Sequence, residues 1–329
     1  MLVRSVILVS SPCARTPRLL VNVVAGFALL FVTSFAGADE ANHADDDQKD
    51  LARLAAVWQS NLTEVKSAYV RYRSLFRPAS KSVTRDEVLK ILETADFVNR
   101  PDDARLLSNA LGLEIPAGHA AWGNGELYVA GTNVRVNSDY EGHRHSEMVL
   151  MDANRIVANP ANKQIEIYAR NGSRRYVKSL DDLRVIPKME KQTASIEKRS
   201  TDGLVLKVGS QQFVVEAGTG FVQSVRVGRA GPTQSSQEIV QKGRVTYPGG
   251  IVFPAAIITC RYVGDEVKSI RIDVIETATF NEPIKDKVFA VNAPAGSKVF
   301  DFRRKREEPG FFTAIGKPVE DIITEIDPK

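Results

Sequence analysis

Hydrophobic and polar positions change period three times along this chain. Leu51, Leu54, Ala55, Trp58, Leu62 and Val65 follow the spacing of one apolar helical face, behind N-cap candidates Asp45, Asp46 and Asp47. Ala68, Val70 and Tyr72 then alternate with polar partners and predict a first strand. From residue 80 to 113 the helical period returns. Thr84-Arg-Asp-Glu87 reads as a capping box ahead of Val88, Leu89, Ile91 and Leu92, and a second helix is expected from Asn99 and Pro101 to Gly112. The insert has too few apolar residues to bury a core alone. From Trp122 onward the period is two. Leu127/Val129, Val134/Val136, Met148/Leu150 and Ile165/Ile167 each mark one side of a strand, punctuated by Asn and Gly turns. The longest ladder runs from Leu204 to Phe302, through Leu206, Val208, Phe213, Val215, Val225 and Val227, with further strands at 239–247, 251–262 and 267–280. Even spacing with one apolar side predicts a one-faced antiparallel sheet.

The two ends change the picture. Arg4, Arg15 and Arg18 precede an apolar run from Leu19 to Phe35, and Ala36-Gly37-Ala38 supplies a small-residue cleavage site, so residues 1–38 are expected to be a signal peptide. The form starting at Asp39 would be exported, to a periplasmic or envelope location, with no later span apolar enough to cross a bilayer. Residues 39–50 read as a flexible acidic lead-in. Residues 51–302 read as the main domain, and 303–329 as a charged tail ending in a short helix whose Val319, Ile322, Ile323 and Ile326 must dock on something.

Cleavage also removes the apparent basicity. Of the 44 basic residues three lie before Asp39, leaving 41 against 40 acidic ones. No overall basic surplus points to nucleic acid. Cys260 is then the sole cysteine, within a strand-like run, and reads as a small buried hydrophobe rather than a reactive thiol.

No P-loop, G-x-G-x-x-G, G-x-S-x-G or H-E-x-x-H stands anywhere in the chain. His143 and His145 lie two apart among Asp139, Glu141 and Glu147, and a continuous strand would put all five on one face, as a divalent metal or a metal-dependent hydrolase would need. Gly142 interrupts that strand, and a solvated hairpin rim is the plainer reading. No cofactor is expected.

Helix, strand, helical excursion and long meander, behind an export signal, resemble the LolA/LolB-like periplasmic lipoprotein carriers. The residues carrying the likeness are Trp58-Gln-Ser-Asn-Leu62 with the Ser67–Arg73 strand, Asn133-Val-Arg-Val-Asn137, the pair Ser146–Asp152 and Gln164–Tyr168, and the F-x-x-x-x-P-x-G phrase from Phe289 to Gly296. The resemblance implies an α+β, mainly β fold: a strongly curved antiparallel sheet, an incomplete barrel, with the N-terminal helix and the insert covering its concave face. It implies a non-enzymatic carrier or sensor of an acylated lipoprotein or lipid. A protein of the cell envelope, met by the outer face or the tail, is the partner expected under the alternative reading below. Lining residues expected on that face are Trp58, Leu62, Val136, Met148, Leu206, Phe213, Val215, Val225, Ile270 and Ile272. Ordinary core packing would use the same residues, and a structural or interaction module with a filled core is the alternative reading.

Overall fold

The computed structural model describes residues 38–329 except 79–81, 97–99, 101–102, 104–108, 111, 113–122, 141–143, 152, 171–179, 188, 190–192, 202, 229–232, 304–309, 314–315 and 327–329. The expected signal peptide, apart from Ala38, and most of the expected second insert helix lie outside the described residues. By its contacts the chain divides at His43/Ala44, and every described strand lies in the second unit.

Helix α1 spans Ala38–Glu64, so the stretch 39–50, read as a flexible lead-in, is helical. Strand β1 (Ser67–Pro78) follows, then α2 (Arg85–Thr94). Five strands come next: β2 (Gly123–Ala130), β3 (Asn133–Tyr140), β4 (Arg144–Met151), β5 (Asn154–Asn159) and β6 (Gln164–Ala169). After the short α3 (Leu180–Arg184) run β7 (Ala194–Arg199), β8 (Gly203–Val208), β9 (Gln211–Glu216) and β10 (Val222–Gly228). The long strands β11 (Ser235–Thr246), β12 (Val252–Val263) and β13 (Glu266–Phe280) complete the ladder. The chain ends with β14 (Asn292–Ala293), β15 (Lys298–Asp301), β16 (Gly310–Thr313), β17 (Lys317–Pro318) and α4 (Val319–Ile326).

Fifteen of these strands form one curved sheet, in the order β16-β15-β6-β5-β4-β3-β2-β1-β13-β12-β11-β10-β9-β8-β7. The edge strands β16 and β7 do not pair with each other, so the barrel is incomplete. From β2 to β6 and from β7 to β13, neighbours in sequence pair antiparallel; the turn at Gly264-Asp265 between β12 and β13 uses φ +62° at Gly264, which a side chain would resist. Two pairings are long-range. β1 joins β13 antiparallel, and β15 lies parallel to β6.

Register assigns each strand's residues to one face or the other. On the inner face two apolar clusters meet at Ile239, the first of them under α1. One gathers Leu54 and Trp58 with Leu204, Leu206, Val208, Phe213, Val215, Val222 and Val225. The second gathers Val70, Tyr72, Leu127, Val134, Val136 and Leu183 around Phe253 and Phe280. Tyr72 lies against Gly125, where an added Cβ would sit 2.3 Å from its ring, so only a glycine lets β2 pass there.

The outer face is covered too. Val88 and Leu92 of α2 pack with Val240, Ile258, Ile270 and Ile272. The expectation of an insert over the concave face therefore meets a different arrangement: its described helix lies across the sheet from α1. The capping box forms, Glu87 Oε2 accepting from Thr84 N at 2.7 Å and Thr84 Oγ1 from Glu87 N at 3.4 Å. Arg85 then forks onto Glu238 of β11 with two bonds of 2.8 Å. Farther along this face Phe289, Val291, Val319 and Ile322 cover Val149, Ile156, Ile167 and Val299. The apolar stripe of the terminal helix thus docks on the chain's own sheet.

One irregularity sets which residues face where. Between Arg71 and Tyr72 the β1–β13 register slips, Arg71 pairing with Thr277 and Tyr72 with Ile275. The extra residue in β13 inverts its alternation. Ile270, Ile272 and Val274 point outward, whereas Ala278 and Phe280 point inward.

Candidate functional site

Helix α1 seats on the sheet by its Leu51, Leu54 and Trp58 positions, three and four residues apart. Trp58 is 2% exposed, and its Nε1 donates to the carbonyl of Gly220 at 2.8 Å. Gly220 has φ +70°, and a Cβ there would stand 3.3 Å from both Leu54 and Val57, so at this position the turn between β9 and β10 meets the helix through its backbone. Arg53 Nη2 donates to Ala217 O in the same turn at 2.6 Å. Asn281 ends the helix: its Nδ2 donates to Glu64 O at 2.9 Å and its Oδ1 accepts from Lys66 N at 2.8 Å.

Near its middle, α1 is clamped by Arg199 of β7, which bonds Asp47 and, at 2.6 Å, Asp50. The hydrogen bond from Arg199 holds the Asp50 carboxyl below its ordinary 3.8, burial opposes, and the charges of Arg199 and Arg53 add to the lowering. A depressed carboxylate contributes stability that is full above the unfolded value and lost as pH falls through the folded one. Amide exchange around 47–53, corrected for the intrinsic rate, is therefore expected to accelerate below pH 3.8 before that of β8 does. Equal acceleration in both segments would show that the clamp does not hold the helix.

Beyond Trp58 a cleft opens between α1, α3 and β11. Buried Arg184 donates from Nη1 to Asn61 O at 2.7 Å, and its own carbonyl accepts from Gln241 Nε2 at 2.7 Å. Trp58, Asn61, Arg184, Phe221, Gln241 and Pro254 line a space of about 40 Å³. One water needs about 10–15 Å³ of such space, so the cleft admits a few waters and no acyl chain as it stands. The following residue, Val185, takes φ +49°, a rare and costly conformation for a β-branched side chain. The polar groups here include the Asn61 and Gln241 amides, backbone carbonyls, the Arg184 guanidinium and Thr219. They can orient a carbonyl, an ester or a head group.

The expected lining residues separate into three places. Trp58, Leu206, Phe213, Val215 and Val225 come together beneath α1. Val136 and Met148 lie farther along the same face. Ile270 and Ile272 sit on the other face, beneath α2, because of the β13 irregularity. Leu62 lies on α1, but its side chain is outside the described residues, as are His143 and the side chain of His145. Among the described residues no group of three or more His, Cys, Asp or Glu is placed to hold a metal ion. Cys260 is buried, its thiol pushed up to about 12 chiefly by desolvation. Arg184, Gln241, Asn61 and Gly220 escaped the sequence reading. Gln241 carried a signal, a long amide breaking the apolar run Ile239-Val240 on a buried strand.

No family model and no curated protein matches the chain. Three solved structures are similar to it. A LolA superfamily protein from Nitrosomonas europaea is 11% identical with TM-score 0.43, covering 72% of this chain and 96% of that one. An outer membrane lipoprotein-sorting protein domain from Vibrio parahaemolyticus is 10% identical with TM-score 0.38, covering 75% and 97%. A DUF1329 family protein from Desulfovibrio piger is 8% identical with TM-score 0.41, covering 72% and 96%. The chain is similar to these proteins at low identity, and no ligand or partner follows for it from them.

Proposed function

We propose that this is an exported, non-enzymatic binding protein that takes the acyl chain of a lipoprotein or lipid onto the inner face beneath α1. The observation that carries the reading is the way one helix closes a continuous apolar face. The helix is held there by Trp58, by a few polar tethers and beside a strained Val185. Displacing α1 would expose Leu206, Phe213, Val215 and Val225, and an acyl chain laid on them would recover roughly 25 cal/mol per Å² of apolar surface kept from water. Arg184, Asn61 and Gln241 would meet the polar end of such a molecule at the cleft.

The test uses the form beginning at Asp39, purified from membranes and extracted for acyl lipids, then titrated with a fluorescent long-chain fatty acid. Saturable binding that unlabelled acyl lipid displaces is the expected result. The small cleft favours a second reading, an envelope interaction module whose core is already full. An extract without acyl lipid together with absent binding would select that module and remove the carrier.

A further inference from the structure

The inner face changes character where β11, β12 and β13 run toward the β12–β13 turn. Along β12 the residues Ile258, Cys260 and Tyr262 are buried on the α2 side, so Thr259, Arg261 and Val263 point inward. Thr259 is half-buried, and Arg261 and Val263 are exposed. The side that α1 closes elsewhere is open here. Register lines up the neighbours. Arg261 stands opposite Gln237 of β11 on one side and Ser269 of β13 on the other. Thr259 stands opposite Ile239 and Arg271, Arg271 opposite Phe76, and Gln237 opposite Val227. Phe76 is 48% exposed and Val263 37%, two of the few large apolar side chains left in solvent among the described residues. Ile239 and Val227 also pack against the apolar cluster beneath α1.

The polar groups of this row are unengaged. Among the described residues the side chains of Gln237, Thr259, Arg261 and Ser269 make no hydrogen bond or ion pair. The carboxylates on this side are already taken. Asp273 accepts from Arg271 Nε at 3.1 Å on each oxygen, and Glu266 is ion-paired with Lys268. Arg261 therefore contributes a positive charge without a counter-charge. Amide and hydroxyl donors flank it, and an apolar floor of Ile239, Val227 and Phe76 adjoins it.

We infer that this row binds the anionic group of an amphiphile, a carboxylate or a phosphate ester held by Arg261, whose apolar part lies on the inner face. A guanidinium meets either anion through two parallel N–H donors, and Gln237, Thr259 and Ser269 can satisfy the remaining oxygens. The cleft beside Trp58 suits an uncharged carbonyl or ester, since its Arg184 already donates to Asn61 O. A ligand with a neutral or cationic head would leave Arg261 unanswered. The inference rests on the reading that the inner face takes an acyl molecule, and it adds the charge that molecule must carry.

The experiment titrates the form beginning at Asp39 with a fluorescent long-chain fatty acid and with the matching fluorescent alcohol, at a pH where the acid is ionised. The acid is expected to bind about fivefold more tightly, with the difference shrinking as salt is raised. Arg261→Gln should abolish that preference and leave both the affinity for the alcohol and the melting temperature unchanged. The same change at Arg226, on the other side of β10 from Val225 and Val227, should leave the preference intact. Competition by an unlabelled fatty acid and by a monoacyl phosphate tells carboxylate from phosphate, the stronger competitor naming the anion. Equal affinity for acid and alcohol would overturn the inference and leave the acyl reading standing. So would a preference that survives Arg261→Gln, or one that Arg226→Gln removes as well. Binding of neither probe would remove both the inference and the acyl reading.

Discussion

Replacing Arg85 with alanine is expected to lower stability by about 3–5 kcal/mol, the cost of leaving a buried carboxylate without its partner. The Glu238 side chain is 4% exposed and takes both branches of the Arg85 fork at 2.8 Å, and Tyr262 approaches it at 3.4 Å. Around it stand Val240, Ile258, Cys260 and Ile270, none able to compensate a charge. The fork is also what fastens the start of α2 to the outer face, so loss of the pair loosens the helix as well. The paired replacement Arg85→Met with Glu238→Leu removes both charges at similar volume and should recover most of the loss. Urea midpoints at unchanged slope measure both effects. A loss below about 1 kcal/mol in Arg85→Ala would mean that water reaches Glu238 and that α2 is not seated as described.

The second large effect concerns the helix on the other face. Trp58→Ala should cost about 3–5 kcal/mol, because a nearly fully buried indole leaves a cavity that the β8–β10 strands cannot close. Trp58→Phe separates the two roles of the side chain. It keeps much of the packing and strands the carbonyl of Gly220, so about 1–3 kcal/mol is expected. The same pair bears on binding. If α1 must leave the sheet for an acyl chain to enter, Trp58→Phe should tighten the apparent affinity for the fluorescent fatty acid by easing that step. Unchanged affinity with lowered stability would leave Trp58 a core residue only.

Local patterns carried much of this fold in the sequence. The alternation in Leu204–Val208 and Phe213–Val215 put the right side chains under α1, since those strands bury one face only. Thr84 to Glu87 announced α2, and the Val319/Ile322 stripe announced a docked terminal helix. The failures share a cause. β13 alternates Ile270, Ile272 and Val274 with Ser269, Arg271 and Asp273, but the alternation cannot say which face of the sheet the apolar side joins, and one extra residue opposite Tyr72 decides it. Nothing local to Ile270 or Ile272 reveals that slip. The face chosen by α2 depends on Glu238, a residue 153 positions away from Arg85. Arg184 and Gln241 meet across 57 positions, through a side chain and a carbonyl that no spacing rule links.

The pairing of β1 with β13 has a consequence for how the chain comes together. β1 is the strand from which the two halves of the sheet spread, yet its partner on one side is made from residues about two hundred positions later. β2 can meet β1 far sooner. Any chain that stops before Glu266 leaves β1 with an open edge along its length, and a closed centre must wait for nearly the whole polypeptide. Such order is slow and leaves an adhesive ladder exposed meanwhile. The Arg77 and Pro78 that end β1, with the charged Arg71 and Arg73 within it, are the kind of residues that discourage foreign strands during that interval.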